Sequence, residues 1–144
     1  MNNMFAYCQM TTITGIIDMI KVTSCSSIFQ NCNKLIDVTF KNIKVSLKLG
    51  SGTTNNPNLS DNTIINTFQE LHDLTDEETQ TLTLSTPTKT KIDAIYVKLI
   101  EATDEMIAND PYITSKKPCI VCESTDEGAM TLREYGISKN WNIA

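Results

Sequence analysis

Long apolar runs, basic clusters and a basic leader are all missing from this chain of 144 residues. No apolar stretch approaches the roughly 18 residues that a membrane-spanning helix needs, so we expect no membrane insertion. The net charge of −5 and the absence of a basic stripe argue against binding to nucleic acid or to an anionic membrane surface. The first ten residues lack the features of a secretory signal. We therefore expect the chain to stay in the cytoplasm, to leave the cell by lysis or in a particle, or to be a fragment of a larger protein.

Motifs of catalysis are also missing. The sequence contains no glycine-rich phosphate loop, no HExxH and no GxSxG, and its single histidine, His72, has no nucleophile near it in sequence. The odd number of cysteines, five, argues against a disulfide framework, so the thiols are expected to be reduced. We predict that the protein is not an enzyme and that it uses no cofactor. The only tryptophan, Trp141, is expected to pack in the core over the last helix.

Cys119 and Cys122 form the sharpest local motif, a Cys-x-x-Cys. It has the spacing of half a zinc site or of a redox pair. The intervening Ile120 and Val121 favour a strand, on which residues three apart point to opposite sides, and this argues against chelation. We predict no metal site.

A repeat occupies the N-terminal part of the sequence. Phe5 and Cys8 return as Phe29 and Cys32, both at the same interval. Two further pairs recur at a slightly longer interval, Met10 with Leu35 and Ile13 with Val38. A third pair, Lys21 with Lys44, recurs at a slightly shorter one. These intervals lie inside the range of leucine-rich repeats, about 20 to 29 residues. The paired cysteines are expected to fill equivalent places in a stacked core.

Short strands and helices alternate along the rest of the chain. Alternation predicts an inward Val38 and Phe40 with an outward Thr39, and further strands in "KVSLKLGSG", "QTLTLST", "KKPCIVCE" and "WNIA". Helical spacing predicts helices in "SDNTIINTFQELHDL", "TKIDAIYVKLIEATDEMI" and "TLREYGISKNW", the first capped by Ser60 or Asp61 and the last opened by a Thr131–Glu134 capping box. The pattern favours an α/β fold with a parallel sheet that the later strands continue.

Several of these segments together resemble the BspA-like family of leucine-rich repeats, found in bacterial surface proteins and in phage and prophage proteins. The resemblance lies in "MFAYC", "IFQNC" with "KLIDV", "NLSDNTIINTFQELHDL", "QTLTLS" and "MTLREYGISKNWNIA". It implies one domain over residues 1–144: repeat units in 1–50 and a helix-and-strand cap in 51–144. The expected fold is thus a short leucine-rich-repeat solenoid with a largely parallel sheet and a βαβ C-terminal cap. Residues 87–126 look like an insertion, with a helix around 88–110.

The resemblance also implies a function. It favours a non-enzymatic protein-recognition or structural module in a virion or at a bacterial surface; the alternative is a small cytoplasmic phage-type inhibitor or adaptor that binds a host protein. Outward residues of the strand ladder would bind the partner: Thr12, Thr14, Asp37, Thr39, Lys41, Ser46, Lys48, Thr81 and Thr83. The first repeat leaves an apolar edge that we expect to be covered, through self-association, by a partner or by upstream repeats: Met4, Phe5, Met10 and Ile13.

Overall fold

The computed structural model describes residues 4–25, 27–52, 56–110 and 118–144. Its strands and helices, in chain order, are β1 (Thr12–Asp18), β2 (Asp37–Lys41), β3 (Leu47–Gly52), α1 (Asp61–Gln69), β4 (Gln80–Ser85), α2 (Thr86–Ile92), β5 (Tyr96–Leu99), α3 (Asp104–Asn109), β6 (Cys119–Cys122), β7 (Met130–Thr131), α4 (Leu132–Ser138) and β8 (Trp141–Ile143). Strands β1–β2 and β3–β4–β8 pair in parallel, whereas β6–β5–β7 pair antiparallel. The predicted α/β class is confirmed.

The two segments that the repeat relates lie directly on each other. The Phe5 ring stacks on the Phe29 ring, with centroids 5.6 Å apart and planes 8° from parallel. Tyr7 and Asn31, which are separated by the same interval as Phe5 and Phe29, both adopt a left-handed conformation with φ of 60°. The N–H of Tyr7 donates to the carbonyl of Gln30 at 2.7 Å. Positions that match in sequence therefore share a backbone conformation and occupy neighbouring places.

The change of interval within the repeat corresponds to a bulge in β1. Thr12 pairs with Asp37, whereas Ile16 pairs with Thr39, so β1 advances further between the two pairs than β2 does. Two extra residues thus lie in β1 between the two pairs, next to Gly15 with its φ of 92°. Because two is an even number, inward and outward sides keep their alternation across the bulge.

A second layer of strands follows the first. The chain turns at Asn42, whose φ is 57°, and β3 then joins a different sheet from β2. Asparagine tolerates this left-handed conformation better than most residues do. The expectation that the later strands continue the sheet of the repeat is therefore wrong: the turn at Asn42 divides the parallel strands between two sheets.

Helices take the place of strands as the chain continues. Helix α1 packs beside β2 and leads into β4, and α4 packs beside α1 and leads into β8. Ser60 caps α1 by accepting a hydrogen bond from the N–H of Thr63, and Thr131 and Glu134 form the predicted capping box of α4. Helices α1 and α4 each bury apolar side chains together with the inward residues of the parallel strands, so one core cluster includes residues of both parallel sheets.

The region from Thr86 to Asn109 departs from the sequence-based expectation. The sequence predicts a helix around 88–110, but the structure has helix α2, strand β5 and helix α3 there, so this prediction is wrong. Pro87 lies in the first turn of α2, where proline is tolerated because that N–H has no helical partner. After α2, the sequence Tyr96-Val97 favours a strand, and β5 pairs with β6 on one side and β7 on the other. The part of the expected insertion at 111–117 lies outside the described residues.

Close packing between α4, α1 and β8 makes Gly136 sensitive to substitution. A Cβ atom at this position would lie 2.9 Å from the ring of Phe68 and 2.9 Å from Cδ1 of Ile143. Overpacking of this kind costs about 1–3 kcal/mol, against about 1 kcal/mol that alanine gains over glycine in a helix. We expect Gly136→Ala to lower the free energy of unfolding in urea, whereas Ile137→Ala, at the exposed neighbouring position, should change it little. Equal stability of the two variants would contradict this packing.

Candidate functional site

Apolar side chains are exposed at the N-terminal end of the molecule. The exposed fractions are 56% for Met4, 68% for Tyr7, 40% for Met10 and 66% for Ile16. Two residues predicted for this edge, Phe5 and Ile13, are instead partly buried against the core. We call the four exposed residues the N-terminal apolar patch.

Tyr7 and Ile16 were missed by sequence reasoning. Ile16 had a usable signal, because it shares the outward side of β1 with Thr12 and Thr14 by simple alternation. Tyr7 had none, since its exposure follows from the left-handed turn at its own backbone.

The outward side of the β1–β2 pair carries one residue of this patch, Ile16. Thr12, Thr14 and Thr39 are exposed there as predicted, and Asp37 and Lys41 are half-buried. Ile16 lies opposite Thr39 in the pairing, and Asp18 lies opposite Lys41. The result is a face with an isoleucine between threonines and with charged residues only at its ends.

Asp18 is fixed in position at one end of this face. Asn42 Nδ2 donates to Asp18 Oδ1 at 3.0 Å, and the N–H of Ile20 donates to the same oxygen at 2.9 Å. These hydrogen bonds hold the pKa of the Asp18 carboxyl below its ordinary value. The bond from Asn42 has the largest effect, and the charge of Lys41 adds to it. Asp18 is therefore ionised at neutral pH, and residues 4–17 carry no charged side chain at all.

The other edge of this sheet is closed by side chains of α1. The N–H of Val38 donates to Thr63 Oγ1 at 3.0 Å, and the N–H of Phe40 donates to Asn66 Oδ1 at 2.9 Å. The third N–H in this row, that of Asn42, donates to Glu70 Oε2 at 3.0 Å. The acceptors are spaced three and four residues apart on one side of a helix, and the donors are spaced two apart on a strand. Helix α1 thereby supplies the hydrogen-bond acceptors that a neighbouring strand would otherwise offer to the N–H groups of β2.

The remaining predicted ladder residues lie in the other sheet. Ser46, Lys48, Thr81 and Thr83 are all half-buried and lie on or beside β3 and β4. Ser46 Oγ donates to Gln80 Oε1 and accepts from the N–H of Thr81, both at 2.9 Å. The structure therefore does not bring the predicted set together as one ladder: five residues accompany β1–β2 and four accompany β3–β4.

The cysteines of the repeat are packing residues in this structure. Cys32 is buried, and its thiol donates to the carbonyl of Phe5 at 2.7 Å, which ties the second repeat to the first. Burial raises the pKa of the Cys32 and Cys25 thiols, so both are protonated at neutral pH and are weak nucleophiles. Cys119 is buried and Cys122 is half-buried on β6, and among the described residues no cluster of possible metal ligands is present.

A buried polar group near the C-terminus involves Cys119, Tyr135 and Lys139. Lys139 is only 7% exposed, its Nζ donates to the carbonyl of Leu71 at 2.5 Å, and it lies 4.4 Å from the centroid of the Tyr135 ring. Burial is the main cause of a raised pKa of Tyr135, and Cys119 adds to it. These groups hold the end of α4 against the segment that follows α1.

Trp141 reinforces the same attachment. It is 2% exposed, in agreement with the predicted core position, and its Nε1 donates to the carbonyl of His72 at 2.9 Å. Asn140 follows α4 in a left-handed conformation with φ of 64°, and its Nδ2 donates to the carbonyl of Leu74 at 2.9 Å. His72 thus serves this contact through its backbone.

An open cleft of about 360 Å³ lies between α1, the α2–β5 connection and the end of β6. Its apolar lining includes Ile65, Ile95 and Val121, and its carboxylates are Asp61 and Glu123. Asp61 is paired with Lys91 at 3.4 Å.

No helix in the described ranges is long and apolar enough to cross a bilayer. Comparison with known proteins gives no assignment: no family model matches the chain, and neither the curated proteins nor the solved structures include a significant match.

Proposed function

We propose that this chain is a non-enzymatic protein-recognition or structural module whose binding surface is the outward side of β1–β2 together with the N-terminal apolar patch. The observation that carries the proposal is the exposure of Met4, Tyr7, Met10 and Ile16 in one stretch without charged side chains. Exposed apolar clusters rimmed by polar residues mark interaction sites in soluble proteins.

Two features of the architecture agree with the family resemblance on which this proposal draws. Stacking of Phe5 on Phe29 and the parallel pairing of β1 with β2 fit two turns of a short leucine-rich-repeat solenoid. Helices α1 and α4, each followed by a strand, then fit a C-terminal cap of βαβ type, with the proposed insertion of residues 87–126 between β4 and α4 in the chain. In such a protein the end of the repeats opposite the C-terminal cap and the strand face are surfaces that can bind a partner.

The composition of the face favours a protein partner. Threonines and Ile16 offer a mixed surface of hydroxyl and apolar groups, while Asp18 and Lys41 at its end supply one charge of each sign. A surface for nucleic acid would need clustered basic groups, and Lys41 is the only basic residue on β1 and β2. Identification of the partner would show whether the protein acts in a virion, at a bacterial surface or in the cytoplasm.

Site-specific photo-cross-linking tests this proposal. A photoreactive amino acid is placed at Thr39 or Tyr7 on the proposed surface, and at Ile137 on the exposed side of α4 as the matched control. We expect one discrete adduct from Thr39 and Tyr7 in lysate of the source cell and none from Ile137. Adducts of equal yield from all three positions, or from none, would contradict the proposed surface. The mass of the adduct distinguishes a second copy of the 16.1 kDa chain from another protein.

A further inference from the structure

We infer that the occupant of the N-terminal apolar patch is a second copy of this chain, joined across a two-fold axis through the outer edge of β1. This inference rests on the proposed function, since it names the partner of the N-terminal apolar patch. A two-fold interface uses the same residues from both copies and closes on itself, so it covers the edge without producing a fibre.

Hydrogen bonding identifies β1 as the edge at which this sheet can grow. The N–H groups that point away from β1 belong to Val38 and Phe40 in β2 and to Asn42 just after it, and they donate to two side chains of α1 and to Glu70 at its C-terminal end. Between the two strands, the N–H of Met19, which follows β1, donates to the carbonyl of Lys41 in β2. Because amides alternate along a parallel strand, Ile16 and Asp18 direct their N–H groups outward. Among the described residues, no strand lies on that side of β1.

Charge favours this end over the rest of the surface as the place where two identical chains meet. The net charge is −5, so two copies repel one another in most orientations. Residues 4–17 carry no charged side chain, so that repulsion is weak along the turn before β1 and along β1 up to Asp18. Exposed edge strands are commonly protected by lysine, by proline or by a bulge. Within β1, only the bulge at Gly15 is present.

Side-chain alternation makes the edge self-complementary. Two β1 strands related by a two-fold axis run antiparallel. With the bulge of Gly15 at the axis, Ile13 of one copy lies opposite Ile17 of the other, on the inward side of both sheets. Thr14 then lies opposite Ile16 on the outward side. The inward pair would extend the partly buried apolar row to which Ile13 and Ile17 already belong in one copy.

The stacked aromatic rings continue in the same direction. Phe40 contacts Phe29 edge-to-face at 6.0 Å, and Phe29 stacks with Phe5. Phe5 is the outermost ring of this row and remains half-buried rather than covered, with exposed Met4 and Tyr7 beside it in sequence. A second copy would place its own Met4, Phe5 and Tyr7 against these groups, which removes apolar area from water on both sides.

Sedimentation velocity of the full chain over a wide range of concentration tests the inference. We expect a monomer–dimer equilibrium with a dimer of twice the 16.1 kDa chain mass. Ile16→Lys brings two like charges together near the axis, and we expect it to weaken the dimer at least about tenfold, which corresponds to 1.4 kcal/mol. Ile137→Lys introduces the same charge at another exposed isoleucine, on α4, and should leave the dimer unchanged.

Thermal melts confirm that both lysine variants are folded before the comparison is made. A wild-type chain that sediments as a monomer at every concentration would overturn the inference, as would an Ile16→Lys variant that dimerises as tightly as Ile137→Lys. A monomer that still cross-links through Tyr7 to a different protein rejects the second copy but leaves the proposed recognition function standing. A monomer without any adduct rejects both.

Discussion

Replacement of Phe29 with alanine is expected to lower the free energy of unfolding by about 3–5 kcal/mol, the usual cost of removing a buried phenylalanine ring. Phe29 is fully buried, with the Phe5 ring on one side and the Phe40 ring on the other. Its loss opens a cavity between the first repeat and the second, and the fixed strand pairing of β1 and β2 limits how far the cavity can close. Urea unfolding followed by Trp141 fluorescence measures the change.

Phe5→Ala is the matched comparison for Phe29→Ala. Phe5 occupies the equivalent position one repeat earlier, but it is half-buried, whereas Phe29 is fully buried. We expect the Phe5 substitution to cost clearly less than the Phe29 substitution, because less apolar area leaves the core. Equal and small losses in both variants would mean that the two repeats do not stack.

Removal of the acceptors on α1 is expected to have the second largest effect. Thr63→Val keeps the shape of the side chain but leaves the buried N–H of Val38 without its acceptor, and Asn66→Ala does the same for the N–H of Phe40. A buried donor left without a partner costs about 1–3 kcal/mol. The double variant should therefore lose several kcal/mol relative to wild type, and it should also associate into larger species, because the β2 edge becomes available for pairing.

Asn62→Ala is the control for the α1 substitutions, since Asn62 lies on the exposed side of the same helix. Alanine has the higher helix propensity, so this change should be neutral or slightly stabilising. If Thr63→Val and Asn66→Ala proved as harmless as Asn62→Ala, the side chains of α1 would not act as the neighbour of β2.

Much of the repeat could be predicted from the sequence because stacked units must place similar residues at similar intervals. The recurrence of Phe5 as Phe29 corresponds to two stacked rings, and the shortening of the interval along the repeat corresponds to the bulge at Gly15. Helix α4 was also predictable, since the Thr131–Glu134 capping box and the left-handed Asn140 are local signals that need no tertiary contact.

The role of α1 was not predictable in the same way. Thr63, Asn66 and Glu70 look like part of an ordinary polar side of an amphipathic helix, and nothing local reveals that their acceptors face the backbone of β2. The division of the parallel strands into two sheets was likewise hidden, because it depends on the turn that Asn42 makes. Alternation shows which residues share a side but not which sheet a strand joins.

The insertion shows how a helical pattern can be misleading. Ile92, Ile95 and Leu99 have helical spacing, yet Ile92 ends α2 and Leu99 ends β5. Pairing of β5 with strands on both sides supplies hydrogen bonds that override the weak helical preference of this stretch. In the candidate site, Met4 and Met10 were predicted and are exposed, whereas Tyr7 required the backbone geometry.

The central claim is that the β1–β2 sheet, beside the proposed binding surface, has one closed edge and one open edge. Amide hydrogen exchange of β1 and β2 tests this claim most directly when it is measured in dilute and in concentrated protein. The amides of Val38, Phe40 and Asn42 should exchange slowly in both samples, because α1 binds them within one chain. The outward amides of Ile16 and Asp18 should exchange quickly in dilute protein and become protected as the concentration rises. Fast exchange at Val38 and Phe40, or protection of Ile16 and Asp18 that does not depend on concentration, would contradict the claim of one closed and one open edge.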